Sequence, residues 1–481
     1  MMNSSTCLRS FSQLSLDRTA HASLTSRTLL APQIACFSTS TARYNQKKGM
    51  AAAPKRGTRT LNVKKGRKGV NYEMGKRPAP GERKAQRKRI VLSNDNALPV
   101  SWLRDLERSN VLEPTIEGQM MGLPERVVDA LRAEEAFKPT QGWGLFRRPA
   151  TLMRKETVQL AGLVKEIEDA NAQQQPRTIR RIISGDRMSG KSTLLLQGLA
   201  IAHLRDWFVI NLPEANDITN AHTDYAPLPG SQPLQYTQDT YTANLLRQML
   251  KANPSILEST PVVTDHKLPF PLPPKPTLKH IVEHGMANPE TSWVCFTALW
   301  EELSQPGRPP ILFAIDSLAH VMRNSEYMSA EFKPIHAFDL TLIRLFVDLL
   351  SGQKTLANGG IILGSLSQSN KPLSVVLDHF VTIAEALQSQ PAIVPVWNPY
   401  LSRDQRVVDA LRGLEDPKQK DFDILRLGGL SKPEARAVIE YYAESGMLRH
   451  TVNDSFVTEK WSLAGMGNMG ELEKASVRLR L

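Results

Sequence analysis

Three cysteines in 481 residues, Cys7, Cys36 and Cys295, are all that this chain has. They are too few and too scattered for a disulfide framework or a zinc cage, whose ligands come in closely spaced pairs, so a reducing compartment is expected. Long apolar runs are missing as well. The stretches richest in Leu, Ile and Val are broken by charges or Pro well short of the roughly 20 residues a spanning helix needs, and no membrane insertion is expected. Acids are the third scarcity, and a local one: residues 1–89 hold 3 Asp and Glu against 20 Lys and Arg. The rest of the chain has 45 acids against 40 bases, so the formal net charge of +12 belongs wholly to the N-terminal segment.

That segment divides in two. Residues 1–43 space Arg9, Arg18, Arg27 and Arg43 among many Ser and Thr, with Asp17 as the lone acid. This is the composition of a mitochondrial presequence, drawn inward by a negative-inside potential. An ordinary unstructured N-terminus is the plainer alternative, but such tails are seldom so poor in acids. Residues 44–91 are dense in Lys, Arg and Gly and cannot bury enough apolar surface to fold alone. Each of their cations can neutralise a phosphate and release a counterion, so the segment reads as a basic arm, ordered only when bound to RNA, with ribosomal RNA as the matrix partner. A solvated charge run or a second targeting signal would share the composition.

From about Leu92 the composition becomes that of a globular protein. Residues 92–175 form a helical preamble, in which ALPVSWLRDLER and LPERVVDALRAEEAF space their apolar residues by three and four, as amphipathic helices do. A turn-rich stretch with Trp143 and Phe146 leads into a further helix from about Lys155. Residues 176–400 read as an α/β domain and residues 401–481 as a small helical lid, begun by a strand or turn at DILRLGG and a helix capped by Ser431. In the lid, Arg436 either touches phosphate or faces solvent.

Within the α/β domain, IRRIISGDRMSGKSTLLLQ places an apolar strand, a loop and an apolar helix in succession. The loop residues Gly185, Asp186, Arg187, Met188, Ser189, Gly190, Lys191, Ser192 and Thr193 carry the pattern G-x-x-x-x-G-K-[ST]. Its glycines let backbone N–H groups turn inward around phosphate oxygens, and the helix start adds its dipole. Lys191 then reaches the outer phosphates and Ser192 can ligate Mg2+. A nucleotide site of this kind needs a carboxylate on a buried neighbouring strand. Ile311–Ile315 is a continuous apolar run, as in a parallel strand covered on both faces, and it ends in Asp316. Asp316 is the expected magnesium partner of Ser192, although an Asp there can also cap a helix.

The next residue is Ser317 where many ATPases of the AAA+ type have a water-activating acid. Without that acid a general-base contribution of about 10²- to 10⁴-fold is missing, and hydrolysis is expected to be slow or absent, with no residue assigned a catalytic role. No arginine finger is evident, although Arg323 and Arg344 are candidates. A third apolar strand, GGIILGSLSQSN, ends in Ser367, Gln368 and Ser369; Ser367 or Ser369 is a candidate γ-phosphate sensor, or simply the polar end of a strand. Asp316-Ser-Leu-Ala lacks the Gly of DxxG and Asn370-Lys371-Pro372-Leu373 the Asp of NKxD, which disfavours a Ras-type GTPase fold without excluding GTP, so both GTP and ATP stay open.

The stretches GDRMSGKS, ILFAIDSL, GGIILGSLSQS and GLSKPEARAVIEYYAESGML, with FKPTQGWGLFRRPATLMR, resemble the death-associated protein 3 family, the P-loop protein of the mitochondrial ribosomal small subunit. The likeness runs from about Leu98 to the C-terminus, and the presequence and arm look like those of a filamentous-fungus member. It implies an α/β P-loop NTPase fold, with an AAA+-like parallel sheet flanked by helices, a helical C-terminal lid and a disordered basic N-terminal extension. It also implies a matrix location in the head of the small subunit near the bridge to the large subunit, contacts with small-subunit rRNA and other ribosomal proteins, and a bound purine nucleotide, usually GTP. A structural ribosomal protein that holds a nucleotide is therefore the expected function. The competing reading is a freestanding matrix ATPase or GTPase that remodels RNA or protein.

Overall fold

A computed structural model describes residues 80–389, 395–415 and 420–478. The presequence expectation and most of the basic arm, residues 44–79, lie outside the described residues. At the centre is a parallel sheet of five strands: β1 Thr178–Gly185, β2 Phe208–Leu212, β3 Ile311–Asp316, β4 Gly360–Ser365 and β5 Phe422–Leu427. Their spatial order is β5-β1-β4-β3-β2, every pair parallel.

Strand residues alternate between two cores, as the two-residue period of a strand requires. Ile179, Ile183, Val209, Leu312, Ala314 and Leu363 face α2 Glu125–Ala133, α3 Lys155–Ala172 and α4 Lys191–Leu204. Ile182, Phe208, Ile210, Phe313, Ile315 and Ile362 face the opposite layer. That layer holds α5 Asp239–Ala252, α6 Leu278–Ala287, α7 Ser292–Leu303, α8 Thr341–Ser351, α9 Val375–Ser389 and α10 Gln405–Leu411. With both faces covered, β2 and β3 are buried at every position, which is why they read as largely apolar runs, with Asn211 the one polar residue inside β2 and Asp316 closing β3.

Three expectations change. ALPVSWLRDLER is not a helix: Arg104–Asp105 pairs as a short parallel strand with Met120–Gly122, which also pairs antiparallel with Ala150–Leu152. Its apolar residues serve separate cores, Leu106 packing beneath the main sheet and Leu103 beside the lid, so tertiary contacts override the helical spacing. The strand Phe422–Leu427, placed in the lid segment by the sequence, is an edge of the main sheet, so residues 401–481 supply both sheet and helices. The lid proper is α11 Lys432–Glu444, α12 Asp454–Leu463 and a short helix Met469–Glu473. It shares one core with the preamble, where Phe146 packs on Tyr441 and Tyr442.

The third change concerns the C-terminal end of the basic arm. Pro80–Lys88 is a helix, α1, docked on the protein through its own cations. Arg87 is 2% exposed and ion-pairs with Glu135, Glu214 and Asp217, while Arg83 takes the other oxygen of Glu214 at 2.7 Å. Lys84 lies 5.8 Å over the Tyr241 ring. These charges, read from the sequence as free to meet RNA, are spent inside the fold.

Candidate nucleotide-binding site

The in-register parallel strands bring their C-terminal ends together, the edge at which open α/β sheets bind ligands. Gly185 ends β1 with φ +142°, and a Cβ there would lie 2.5 Å from the Leu427 carbonyl oxygen of β5, so this close approach needs glycine. Met188 takes φ +64° at the tip of the loop, and Gly190, at φ +103°, is the N-cap of α4. The turn frees the first amides of α4 for an anion. Asp186 and Arg187 are exposed, whereas Ser189 and Lys191 are buried.

The loop is braced on both sides. Arg154, 8% exposed, donates to the Ser189 carbonyl at 3.1 Å and to that of Gly428 at 2.9 Å, tying the loop to the end of β5. From the lid, Asn468 donates to the Arg187 carbonyl at 2.8 Å and the Gly470 amide to that of Met188 at 3.0 Å. Lys191 Nζ donates to the Gly185 and Asp186 carbonyl oxygens at 2.9 and 2.5 Å. Burial pushes its ammonium down to about 8, only partly countered by Asp186 and Asp316.

Ser192 and Asp316 meet as expected, Ser192 Oγ donating to Asp316 Oδ2 at 2.9 Å. Asp316 Oδ1 accepts the Ser317 amide at 2.8 Å, and Ser317 itself is left-handed at φ +65°. Lys138, which the sequence did not single out, places its Nζ 2.8 Å from the same Oδ2. Burial is the largest influence on the Asp316 carboxyl and would raise its pKa. Lys138 and the hydroxyls of Ser192 and Ser365 together outweigh it and hold the group below its ordinary value. Ser192 and Asp316 thus bring two oxygen-bearing side chains together beside the loop, with the Lys138 ammonium on the same carboxylate oxygen.

The strand end gives a further difference. Fully buried Ser365, not Ser367, stands opposite Asp316 in the register of β4 and β3. Ser367 is half-buried and bonds within its own turn, to Ser369 Oγ at 3.3 Å and the Asn370 amide at 3.4 Å. Arg436 faces solvent, paired with Glu440 and Asp454. Arg344 is taken up by Asp348 on its own helix, and Arg323 is exposed and bonds the adjacent Asn324 carbonyl. Trp143 packs edge-on against Phe137. Neither Lys138 nor Arg154 could have been found from local spacing, because each contacts the site only through the tertiary fold.

A phosphate loop between β1 and α4, an acid on β3 and one strand inserted between them define a P-loop NTPase fold of the AAA+-like kind. The family described as mitochondrial ribosomal death-associated protein 3 matches residues 151–475. The small ribosomal subunit protein mS29 of Neurospora crassa is 44% identical over 421 residues, covering 87% of each chain. A solved structure of the Aeropyrum pernix ORC2 protein, described in ADPNP and ADP complexes, is 14% identical with a TM-score of 0.33. That match covers 67% of this chain and 60% of the other. The chain belongs to the mitochondrial ribosomal death-associated protein 3 family, and it is accordingly a protein of the mitochondrial ribosome, in the matrix.

Proposed function

We propose that this protein is a structural component of the mitochondrial small ribosomal subunit that binds a purine nucleotide, GTP or ATP, and keeps it with little or no hydrolysis, in support of mitochondrial translation. The family and the Neurospora relative support the ribosomal part. Residues 1–43 act as the import presequence, and the basic segment that follows meets small-subunit rRNA. Neighbouring ribosomal proteins, including proteins of the bridge to the large subunit, are the other partners.

One observation carries the nucleotide part. The buried Lys191 ammonium is held inside a loop of left-handed glycines at the start of α4, bonded only to main-chain carbonyls that a phosphate group would replace. Ser192 and Asp316 are the side chains that would receive any magnesium ion accompanying that phosphate, on an oxygen that Lys138 already pairs. Weak turnover follows from the neighbourhood: Ser317 stands where an acid would activate water, and the acid beyond β2, Glu214, has both oxygens held by Arg83 and Arg87.

Sedimentation of a mitochondrial lysate tests the reading together with phosphate release. The protein should travel with the small subunit, and the purified chain should turn over far below the ~1 s⁻¹ at the low end of ordinary enzymes. Protein left at the top of the gradient, releasing phosphate at enzymatic rates, would instead indicate a freestanding NTPase.

A further inference from the structure

We propose that Lys138 is the resident cation of the nucleotide site, its ammonium lying where a divalent metal would otherwise serve Asp316 and Ser192, so that nucleotide is held with little dependence on magnesium. This rests on the nucleotide-binding reading above and specifies which charge does the holding.

Lys138 is a built part of the site. Its backbone follows fully buried Phe137 and begins a tight turn, closed by the Gln141 amide on the Lys138 carbonyl at 3.1 Å. The Gln141 side chain accepts from the Lys138 amide at 2.9 Å and from Trp143 Nε1 at 2.6 Å, and it donates to Thr193 Oγ1 in the first turn of α4 at 3.2 Å. The turn is thereby fixed relative to the phosphate loop. The Lys138 side chain, 16% exposed, ends with Nζ 2.6 Å from the Pro213 carbonyl and 2.8 Å from Asp316 Oδ2.

The charge balance then favours an anion without added metal. Asp316 is 2% exposed and needs a partner, because a buried unpaired carboxylate is strongly disfavoured. A tethered ammonium meets that need without the entropy of capturing an ion from solution. With Asp316 paired to Lys138, the Lys191 ammonium is held by the Gly185 and Asp186 carbonyls rather than by that carboxylate, a cation within the loop for a polyphosphate to meet. Magnesium parts with its waters reluctantly and demands octahedral geometry, and here it would have to displace an ion pair already made.

Calorimetric titration of the full chain with GDP and with ADP, in excess magnesium and in excess chelator, tests this. For the wild type the affinity for the nucleotide that binds should change by less than about threefold between the two conditions, and Lys138→Arg should behave alike. Lys138→Met should become magnesium-dependent by about thirtyfold or more, roughly one and a half decades in Kd. Wild-type binding that is strong in magnesium and collapses in chelator would overturn the proposal while leaving the nucleotide reading intact, as would a folded Lys138→Met protein that remains indifferent to the metal. Folded wild type that binds neither nucleotide in either condition would remove both. If Lys138→Met does not fold, the wild type and Lys138→Arg decide between these outcomes.

Discussion

Asn468 Nδ2 donates to the carbonyl oxygen of Arg187 over 2.8 Å, joining residues 281 apart in sequence. The same side chain caps the short helix Met469–Glu473, its oxygen accepting the Glu471 amide at 3.3 Å. The lid is thereby fastened to the outer rim of the phosphate loop, while Arg154 fastens the inner rim. Asn468→Asp separates the two roles, since a carboxylate keeps the cap and loses the donor. It should leave the melting temperature within about 2 °C and speed nucleotide release several-fold, in line with the ~1 kcal/mol of one hydrogen bond. Stopped-flow displacement of a fluorescent nucleotide measures this, and an unchanged release rate would show that the lid does not clamp the loop.

Arg87 gathers Glu135, Glu214 and Asp217 around one buried guanidinium. Removing it takes the central cation from three clustered carboxylates, leaving Glu214 with Arg83 and Glu135 with Lys88 at 3.9 Å. Arg87→Ala should cost about 3–5 kcal/mol of stability, as breaking a buried pair does, with little relief at high salt. Adding Glu214→Gln and Asp217→Asn should recover a large share. Urea denaturation of the single and triple variants checks both statements, and a single-variant loss under about 1 kcal/mol would mean that α1 is not docked as described.

His336 gives a pH signature. Burial is the first cause holding its imidazole below the usual range, against the pull of Asp404 at 3.1 Å. Its Nδ1 accepts the Phe338 amide at 3.1 Å, a bond that protonation destroys. The unfolded chain therefore takes up this proton first as pH falls. The stability contribution is complete above about pH 6.5 and is lost below it, by up to ~1.4 kcal/mol per pH unit until the native group titrates. His336→Gln should flatten the stability profile below about pH 6.5. Equal slopes in urea midpoints for the two proteins would refute it.

Much of this was legible in the sequence for a physical reason. A strand buried on both faces is mostly apolar, so Phe208–Leu212, Ile311–Asp316 and Gly360–Ser365 announced themselves despite Asn211, Asp316 and Ser365, and the loop before α4 is a local motif whose glycines are required by backbone conformation. The edge strand Phe422–Leu427 interrupts its buried residues with charge, Asp423 half-buried and Arg426 exposed, and so read ambiguously. The helical spacing of ALPVSWLRDLER was real but lost to strand pairing with Met120–Gly122. Lys138, Arg154 and Ser365 were invisible because their roles arise from strand register and from a preamble folded back over the loop. The same limit hid Arg83 and Arg87, whose charges look like RNA contacts until the carboxylates of Glu135, Glu214 and Asp217 are found beside them.

If the loop Gly185–Thr193 grips a purine nucleotide and retains it within the ribosome, as proposed, that nucleotide must be recoverable from the assembled subunit. Small subunits purified from mitochondria, denatured and analysed by mass for released nucleotides, test it most directly. The account expects close to one GTP, GDP, ATP or ADP per subunit attributable to this chain, lost in Lys191→Ala along with incorporation of the protein. Subunits that contain the protein at full occupancy and release no such nucleotide, or Lys191→Ala subunits that release as much as the wild type, would contradict it.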